Sequence, residues 1–429
     1  MTTFIRRLIC LVVTVLCAPG YSQVQDLFKP ITQFGPIEPT TLSAGIAVER
    51  YRVVQAQSSL ISQTAALEVR TKSPQSFGQD QPLVDKPSIK VVNLNLFENL
   101  SFIADLKEIV TSRDEKTTTW SGIIRGASQS FVTLTVRGRI VFGNVGTGTG
   151  KLYEIRPIGG ADSATQAILE VKEASFPRES KPVPVKGERI AQDVDPNAAP
   201  AILNVAVFYT QAAAGGGGAE GMEVLTQNAA NDTNIGYSQS GVKQRIEIVR
   251  VTPVQYDEKD GYALALQRLS DPHDGYMDEV QSVRDSAHAD MVVLLIKNGQ
   301  SCGLSYLAQP PTAAFASKAF SVVNIACATG LFSFGHELGH LQGCNHDRAD
   351  ADGPGAFPYS YGYQQTLNTP YFRDIMSYDC ALSCTRINYW SNPQIQYQGM
   401  PVGENTSQGS TNNAMTLNRT QYIAMGWRK

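Results

Sequence analysis

His336-Glu337-Leu338-Gly339-His340-Leu341-Gln342-Gly343-Cys344-Asn345-His346-Asp347 is the stretch from which the rest of the 429-residue chain can be read. Two histidines four residues apart lie one above the other on a helix, so both rings can reach one metal ion. Gly343 falls where that helix must stop, and glycine takes the left-handed conformation cheaply. The chain then turns back and brings His346 to the same point. Three neutral imidazoles with no fourth protein ligand describe a catalytic zinc, whose open position is left for water. Glu337, beside the first ligand, is placed to take a proton from that water. The expected chemistry is zinc-assisted peptide hydrolysis. The competing readings are a buried amphipathic helix with hydrogen-bonded histidines and a closed structural zinc site.

A bare His-Glu-x-x-His pattern would be a weak signal, and the glycine and third histidine at fixed offsets sharpen it. The longer pattern also calls for a methionine turn downstream, which Asp374-Ile375-Met376-Ser377-Tyr378 supplies. Met376 is apolar and is expected to floor the site without binding metal. Asp347 is read as a structural hydrogen-bonding residue. His273 and His288 lie outside the motif and read as ordinary surface or core residues.

Residues 1–22 read as a signal peptide, with Arg6 and Arg7 before the apolar segment Leu8 to Cys17, which is too short for a stable membrane anchor. No later segment reads as a transmembrane helix. The expected product is secreted, extracellular or periplasmic in a bacterium, with no membrane partner once the signal is gone. A net charge of −3 gives no reason to expect nucleic acid. The length suits two ordinary domains after the signal.

Of the seven cysteines, Cys10 and Cys17 fall in the signal. The others, Cys302, Cys327, Cys344, Cys380 and Cys384, cluster around the two motifs and suggest disulfides bracing the site in an oxidising compartment. The preferred pairs are Cys302 with Cys327, and Cys344 with Cys380 or Cys384, leaving one thiol over.

Residues 23–178 hold short β-rich runs from Ile89 to Ile158, separated by turn-forming pieces such as Arg137-Gly138-Arg139. They suggest a small antiparallel domain, either a propeptide that masks the enzyme or an adhesion module. With no cysteine between residues 24 and 178, a thiolate from this region cannot provide latency; a carboxylate or steric cover must. Residues 179–200 read as a linker, marked by Pro182, Pro184, Pro196 and Pro200, that resists packing and invites proteolysis.

From residue 201 to 429 strands and helices alternate, which predicts a mainly parallel twisted sheet carrying the zinc helix, an α/β or α+β catalytic domain. The zinc helix is expected to begin near Gly330. Gly303, Leu304 and Ser305 open a candidate edge strand, and an unpaired edge beside the zinc would let a peptide substrate dock by adding a strand.

The run His336 to Asp347 resembles the reprolysin-like metzincin zinc metallopeptidases. The segments His340-Leu341-Gln342-Gly343 and Arg386-Ile387-Asn388-Tyr389-Trp390-Ser391-Asn392-Pro393 look like those of bacterial peptidyl-Asp metalloendopeptidases. The resemblance covers roughly Leu203 to the C-terminus. It implies a secreted endopeptidase that cuts on the amino side of aspartate and less readily glutamate, while the place of residues 23–178 between a signal and a catalytic unit suggests that it is made as a zymogen. A substrate carboxylate must meet a cation. The metzincin pocket wall follows the methionine turn, making Arg386 the first candidate and Arg373 the second. Tyr378 stands where astacin- and serralysin-type relatives have tyrosine and typical reprolysins have proline. It is a candidate for touching zinc or stabilising the oxyanion, weighed against core packing. Asn412 and Asn413 are candidates for a structural calcium, as in some relatives. Gln192-Asp193-Val194-Asp195 offers two sites for self-processing, at Asp193 or Asp195. The other functional class is a non-enzymatic exported binding protein that keeps the fold; the intact Glu337 argues against it.

Overall fold

The computed structural model describes residues 24–31, 47–62, 90–158, 164–188, 199–406 and 409–428. The expected signal peptide and the processing candidates Asp193 and Asp195 lie outside these residues.

The N-terminal half forms one antiparallel sheet of nine strands: β1 Phe28–Pro30, β2 Val48–Ala56, β3 Val91–Phe97, β4 Leu100–Thr111, β5 Thr118–Ile124, β6 Phe131–Arg137, β7 Ile140–Gly146, β8 Leu152–Pro157 and β9 Thr165–Val171. The order β1-β2-β9-β8-β7-β6-β5-β4-β3 makes most connections between neighbours in sequence. Period-two alternation sends Val132, Leu134 and Val136 of β6 into an apolar layer with Leu94, Leu96, Trp120 and Ile155. The polar side chains between them, Thr133 and Thr135, are also buried. They face the long helix α1, Gly218–Gln239, and not water.

The C-terminal half has a six-stranded sheet. To β10 Val183–Lys186 it adds β11 Ile202–Thr210, β12 Arg245–Val254, β13 Met291–Ile296, β14 Gly303–Gln309 and β15 Phe320–Asn324. The order is β10-β14-β15-β13-β11-β12. Strands β11, β12, β13 and β15 are parallel, as expected, and β14 is antiparallel to β15. Helices α2 Gly261–Ser270 and α3 Glu279–Ser286 lie between β12 and β13 in sequence, α4 Ser333–Leu341 carries the motif, and α5 Asn413–Ala424 closes the described chain. All six residues of β13 are buried, which explains why it reads as a continuous apolar run.

Three expectations need correction. The zinc helix starts at Ser333 and not near Gly330, because Phe332 takes a left-handed conformation (φ 65°) that interrupts helical backbone. The linker is not unpacked at its start: Val183–Lys186 pairs in parallel with Tyr306–Gln309. The edge strand opened by Gly303, Leu304 and Ser305 is therefore not unpaired, since β10 covers it. Pro182 and Pro184 do not prevent this, because an edge strand needs only alternate backbone groups for pairing.

The two halves meet through a buried polar seam flanked by apolar contacts, with Ile140 and Phe142 of β7 in the core of the C-terminal half and the Phe131 ring against Phe332. Asp232 of α1 accepts from Thr133 Oγ1 at 2.7 Å and from Asn144 Nδ2 at 2.9 Å. Asn144 also donates to Asn228 Oδ1, and Asn231 donates to Thr119 Oγ1. Burial raises the Asp232 carboxyl to about 7 against these hydrogen bonds, with the buried Glu154 of β8 adding to the rise and Arg156 beside Glu154. A raised carboxyl stabilises the folded state most below its ordinary range, and that contribution is lost as pH rises through about 7. Asp232→Asn, which mimics the protonated group, should therefore raise the melting temperature over wild type at pH 8. Thermal scans across pH should show the gap shrinking towards pH 4; a constant gap would mean Asp232 is ionised in the folded protein.

Candidate active site

Helix α4 places His336 and His340 on one face, and both are fully buried. The helix ends at Leu341, and just beyond its cap Gln342 the backbone of Gly343 adopts φ 93°, where a Cβ would meet the Ala356 Cβ at 2.3 Å. Glycine is required there on both counts. The short strand Asn345–Asp347 then returns His346 to the first two rings. The three Nε2 atoms stand 3.0 to 3.1 Å apart.

Hydrogen bonds on the far side of the rings decide what that triangle means. His336 Nδ1 lies 2.8 Å from the Ile375 carbonyl and His340 Nδ1 lies 2.7 Å from the Cys344 carbonyl. A carbonyl only accepts, so His340 Nδ1 carries the proton and its Nε2 presents a lone pair to the common point, whereas His336 Nδ1 lies between the Ile375 carbonyl and, at 2.9 Å, the Arg386 guanidinium. Burial lowers all three imidazoles from the usual histidine range, His336 to about 4. Neutral rings packed this way repel one another unless a cation lies among them. The spacing suits one ion about 2.0–2.1 Å from each nitrogen, the zinc–imidazole bond length.

Glu337 is buried beside this triangle. Ser305 Oγ donates to its Oε2 at 2.6 Å, and its Oε1 has no partner. Burial raises this carboxyl well above its ordinary value. Gly303 has no side chain to fill that space: a Cβ would lie 2.2 Å from Glu337 Oε1. Gly303 and Ser305 thus bear directly on Glu337, and Leu304 is buried in the core between them.

The methionine turn lies against α4. Met376 is fully buried and its sulfur borders Gly339, where Trp390 also leaves no room for a Cβ. Asp374 holds the turn by accepting from Ser377 Oγ and Ser391 N. Asp347 accepts from Tyr378 N at 3.1 Å. The Tyr378 ring packs on His346 at 4.3 Å between centroids, and its hydroxyl donates to the Glu179 carbonyl at 2.7 Å.

Both candidate arginines are buried beside the turn. Arg386 donates from Nε and Nη2 to the Ile375 carbonyl, and its Nη1 pairs with Glu179 Oε1 at 2.5 Å. Arg373 donates to Ser377 O and pairs with Glu173 Oε1 at 2.9 Å. Burial would push the Glu179 carboxyl up, but Arg386 overrides it and holds that carboxyl at about 2. Glu173 and Glu179 belong to no motif, so nothing in their local sequence singles them out.

Cys302 and Cys327 form the expected disulfide, tying the start of β14 to the end of β15. The second expected pair is wrong. Cys380 bonds Cys384, and Cys344 is a free, buried thiol whose Sγ lies 3.7 Å from the Asn413 carbonyl. Cys344 faces α5 from the end of the zinc helix, while Cys380 and Cys384 close a small loop of their own. Asn412 caps α5 by accepting from Met415 N, and Asn413 donates to Asn345 O. His288 and His273 are exposed.

Residues 200–391 match the model of the reprolysin-type metallo-peptidase family M12. A protein of Stenotrophomonas maltophilia named peptidyl-Asp metalloendopeptidase is 33% identical over 327 residues, 71% of this chain and 76% of that protein. The chain belongs to this metallopeptidase family. A protein of the same name from Xanthomonas campestris is 33% identical over 296 residues, 66% of this chain and 67% of its own. Another from Pseudomonas fragi is 48% identical over 71 residues, 17% of this chain and 48% of its own. Membership makes the chain a peptidase that works with a metal ion, and the His336, His340 and His346 cluster is where the described residues could hold one.

Gly343→Ala adds both a clash and a strained φ, so it should cost more than about 1 kcal/mol of stability. Calorimetry with metal analysis should find a lower melting temperature and less bound metal; unchanged values on both would separate the turn from the site.

Proposed function

We propose that this chain is a secreted zinc endopeptidase, made with a masking N-terminal half, that cuts on the amino side of aspartate and less readily glutamate. The observation that carries the reading is the convergence of three buried Nε2 atoms beside a carboxylate with one free oxygen. In this reading residues 201–429 are a metzincin-type catalytic unit and residues 23–178 a propeptide. Among the described residues no helix is long and apolar enough to cross a membrane.

A zinc ion held by His336, His340 and His346 would bring the pKa of a coordinated water near 7 and polarise the scissile carbonyl. Glu337 takes the proton from the attacking water through Oε1, while Ser305 steadies Oε2. As the carbonyl carbon gains the water oxygen, the C–N bond breaks and Glu337 passes the proton to the leaving nitrogen. Tyr378 donates its hydroxyl to the carbonyl oxygen as negative charge gathers there. Met376 and Trp390 back the zinc helix and keep its rings in register.

Selectivity falls to Arg386, with Arg373 behind it. A buried guanidinium binds a carboxylate in charge-assisted fashion and leaves a neutral side chain with nothing to offer it. The names of the relatives support the aspartate preference, and the arginines supply a cause. The same preference would direct the enzyme to its own Asp193 or Asp195.

Mass spectrometry of products from a peptide library should give new N-termini at Asp, abolished by a chelator and restored by zinc. Glu337→Gln should lower the rate by about 10²–10⁴-fold. Cleavage indifferent to chelator would overturn the mechanism. Arg386→Gln should erase the margin of Asp over Leu peptides; an unchanged margin would remove Arg386 from the pocket. Secreted Glu337→Ala chain should remain uncut at Asp193 and Asp195, and trimming there would assign maturation to another enzyme.

A further inference from the structure

We propose that the segment Arg178 to Lys186 is a resident inhibitor, anchored by the Glu179 carboxylate seated in the pocket for a substrate's acidic side chain. This rests on the acidic selectivity proposed above.

The Glu179 side chain is 3% exposed and Arg386 is 1% exposed. Besides Arg386 Nη1 at 2.5 Å, Glu179 Oε1 accepts from Ser333 Oγ at 2.9 Å, at the first residue of the zinc helix. A carboxylate so placed satisfies the cation that the selectivity needs. Glu173 repeats the arrangement slightly earlier in the chain, accepting from Arg373 Nη2 and from Arg386 N, each at 2.9 Å. Both arginines flanking the methionine turn are answered by acids from upstream of the catalytic unit.

The backbone of the segment uses the edge a substrate would need. Ser180 N donates to Gly303 O at 2.9 Å, β10 runs beside Tyr306–Gln309, and Gly187 N donates to Gln309 O at 3.0 Å. An added strand gains main-chain hydrogen bonds irrespective of sequence, so the side chain in the pocket sets the register. The metal need not be touched, because Arg386 and Ser333, the two partners of Glu179 Oε1, are both protein side chains. That fits a region from residue 24 to 178 with no cysteine or histidine.

The segment is also presented in a way that resists cutting. Cleavage on the amino side of Glu179 would attack the Arg178 carbonyl. That carbonyl instead accepts from Cys302 N at 3.1 Å and Ser301 Oγ at 3.0 Å. The carbonyl offered to Tyr378 is that of Glu179 itself, one residue too far along. The pocket is filled while the wrong bond faces the catalytic hydroxyl.

Glu179→Gln in the full-length chain keeps the shape and removes the charge. Initial rates on casein and on an Asp peptide, taken while gels show the chain intact, should rise at least about tenfold over wild type, since a buried guanidinium left unpaired is costly. Glu179→Asp should remain latent. Hydrogen exchange should show Arg178–Lys186 amides exposed in Glu179→Gln and the β11 and β13 amides still protected. A latent Glu179→Gln chain with a protected segment overturns the proposal. If that variant does not fold, a synthetic peptide of residues 176–188 replaces it, tested on the self-processed enzyme. It should inhibit at least about tenfold better than the same peptide carrying Glu179→Gln, and equal potency overturns the proposal. Casein hydrolysis unlocked by Glu179→Gln without any preference for Asp peptides would retain the plug and discard the selectivity reading; the converse result would do the opposite.

Discussion

Three imidazole Nε2 atoms brought to one point impose the constraint on which the site depends. His336 and His340 are held there because backbone carbonyls of Ile375 and Cys344 fix the other side of each ring. One carbonyl comes from the methionine turn and the other from the turn that Gly343 permits. The Ile375 carbonyl also accepts from Arg386. A single oxygen thus orients a metal ligand and positions the cation proposed to select substrate, so neither can shift without the other. This sharing gives a physical reason for a metal centre and the proposed selectivity pocket to be built from one short stretch of chain.

Burying two arginines near a metal site carries a cost that the rest of the fold offsets. Arg373 and Arg386 each spend some donors on backbone carbonyls and the remainder on a glutamate from the preceding region. The nine-stranded sheet delivers those glutamates, and it is held to α1 by hydrogen bonds among Thr119, Thr133, Asn144, Asn228, Asn231 and Asp232. A polar seam of this kind is specific in register yet separable in water, because every group in it can be solvated when it opens.

Much of this architecture could be read from the sequence, and the failures have physical causes. The motif around His336, the methionine turn and the strands β3 to β8 and β11 to β15 are legible because metal spacing and hydrophobic period are local properties. The alternation of Val132, Thr133, Leu134 and Thr135 also predicts a strand correctly, but it cannot tell that the threonines face a helix and not solvent. Val183-Pro184-Val185-Lys186 reads as linker because its strand character comes from pairing with β14, a tertiary effect. The disulfide of Cys380 and Cys384 is not legible in the sequence for a similar reason, since only folding turns Cys344 towards α5. Glu179 belongs to no motif, and its importance arises wholly from where Arg386 lies 207 positions away.

Three imidazoles, and no thiolate, are proposed to hold a zinc ion with room for solvent. X-ray absorption at the zinc edge on purified protein tests this most directly. The account predicts three nitrogen scatterers at about 2.0–2.1 Å with oxygen completing the shell. A sulfur scatterer at about 2.3 Å, or protein that takes up no zinc at all, would contradict it.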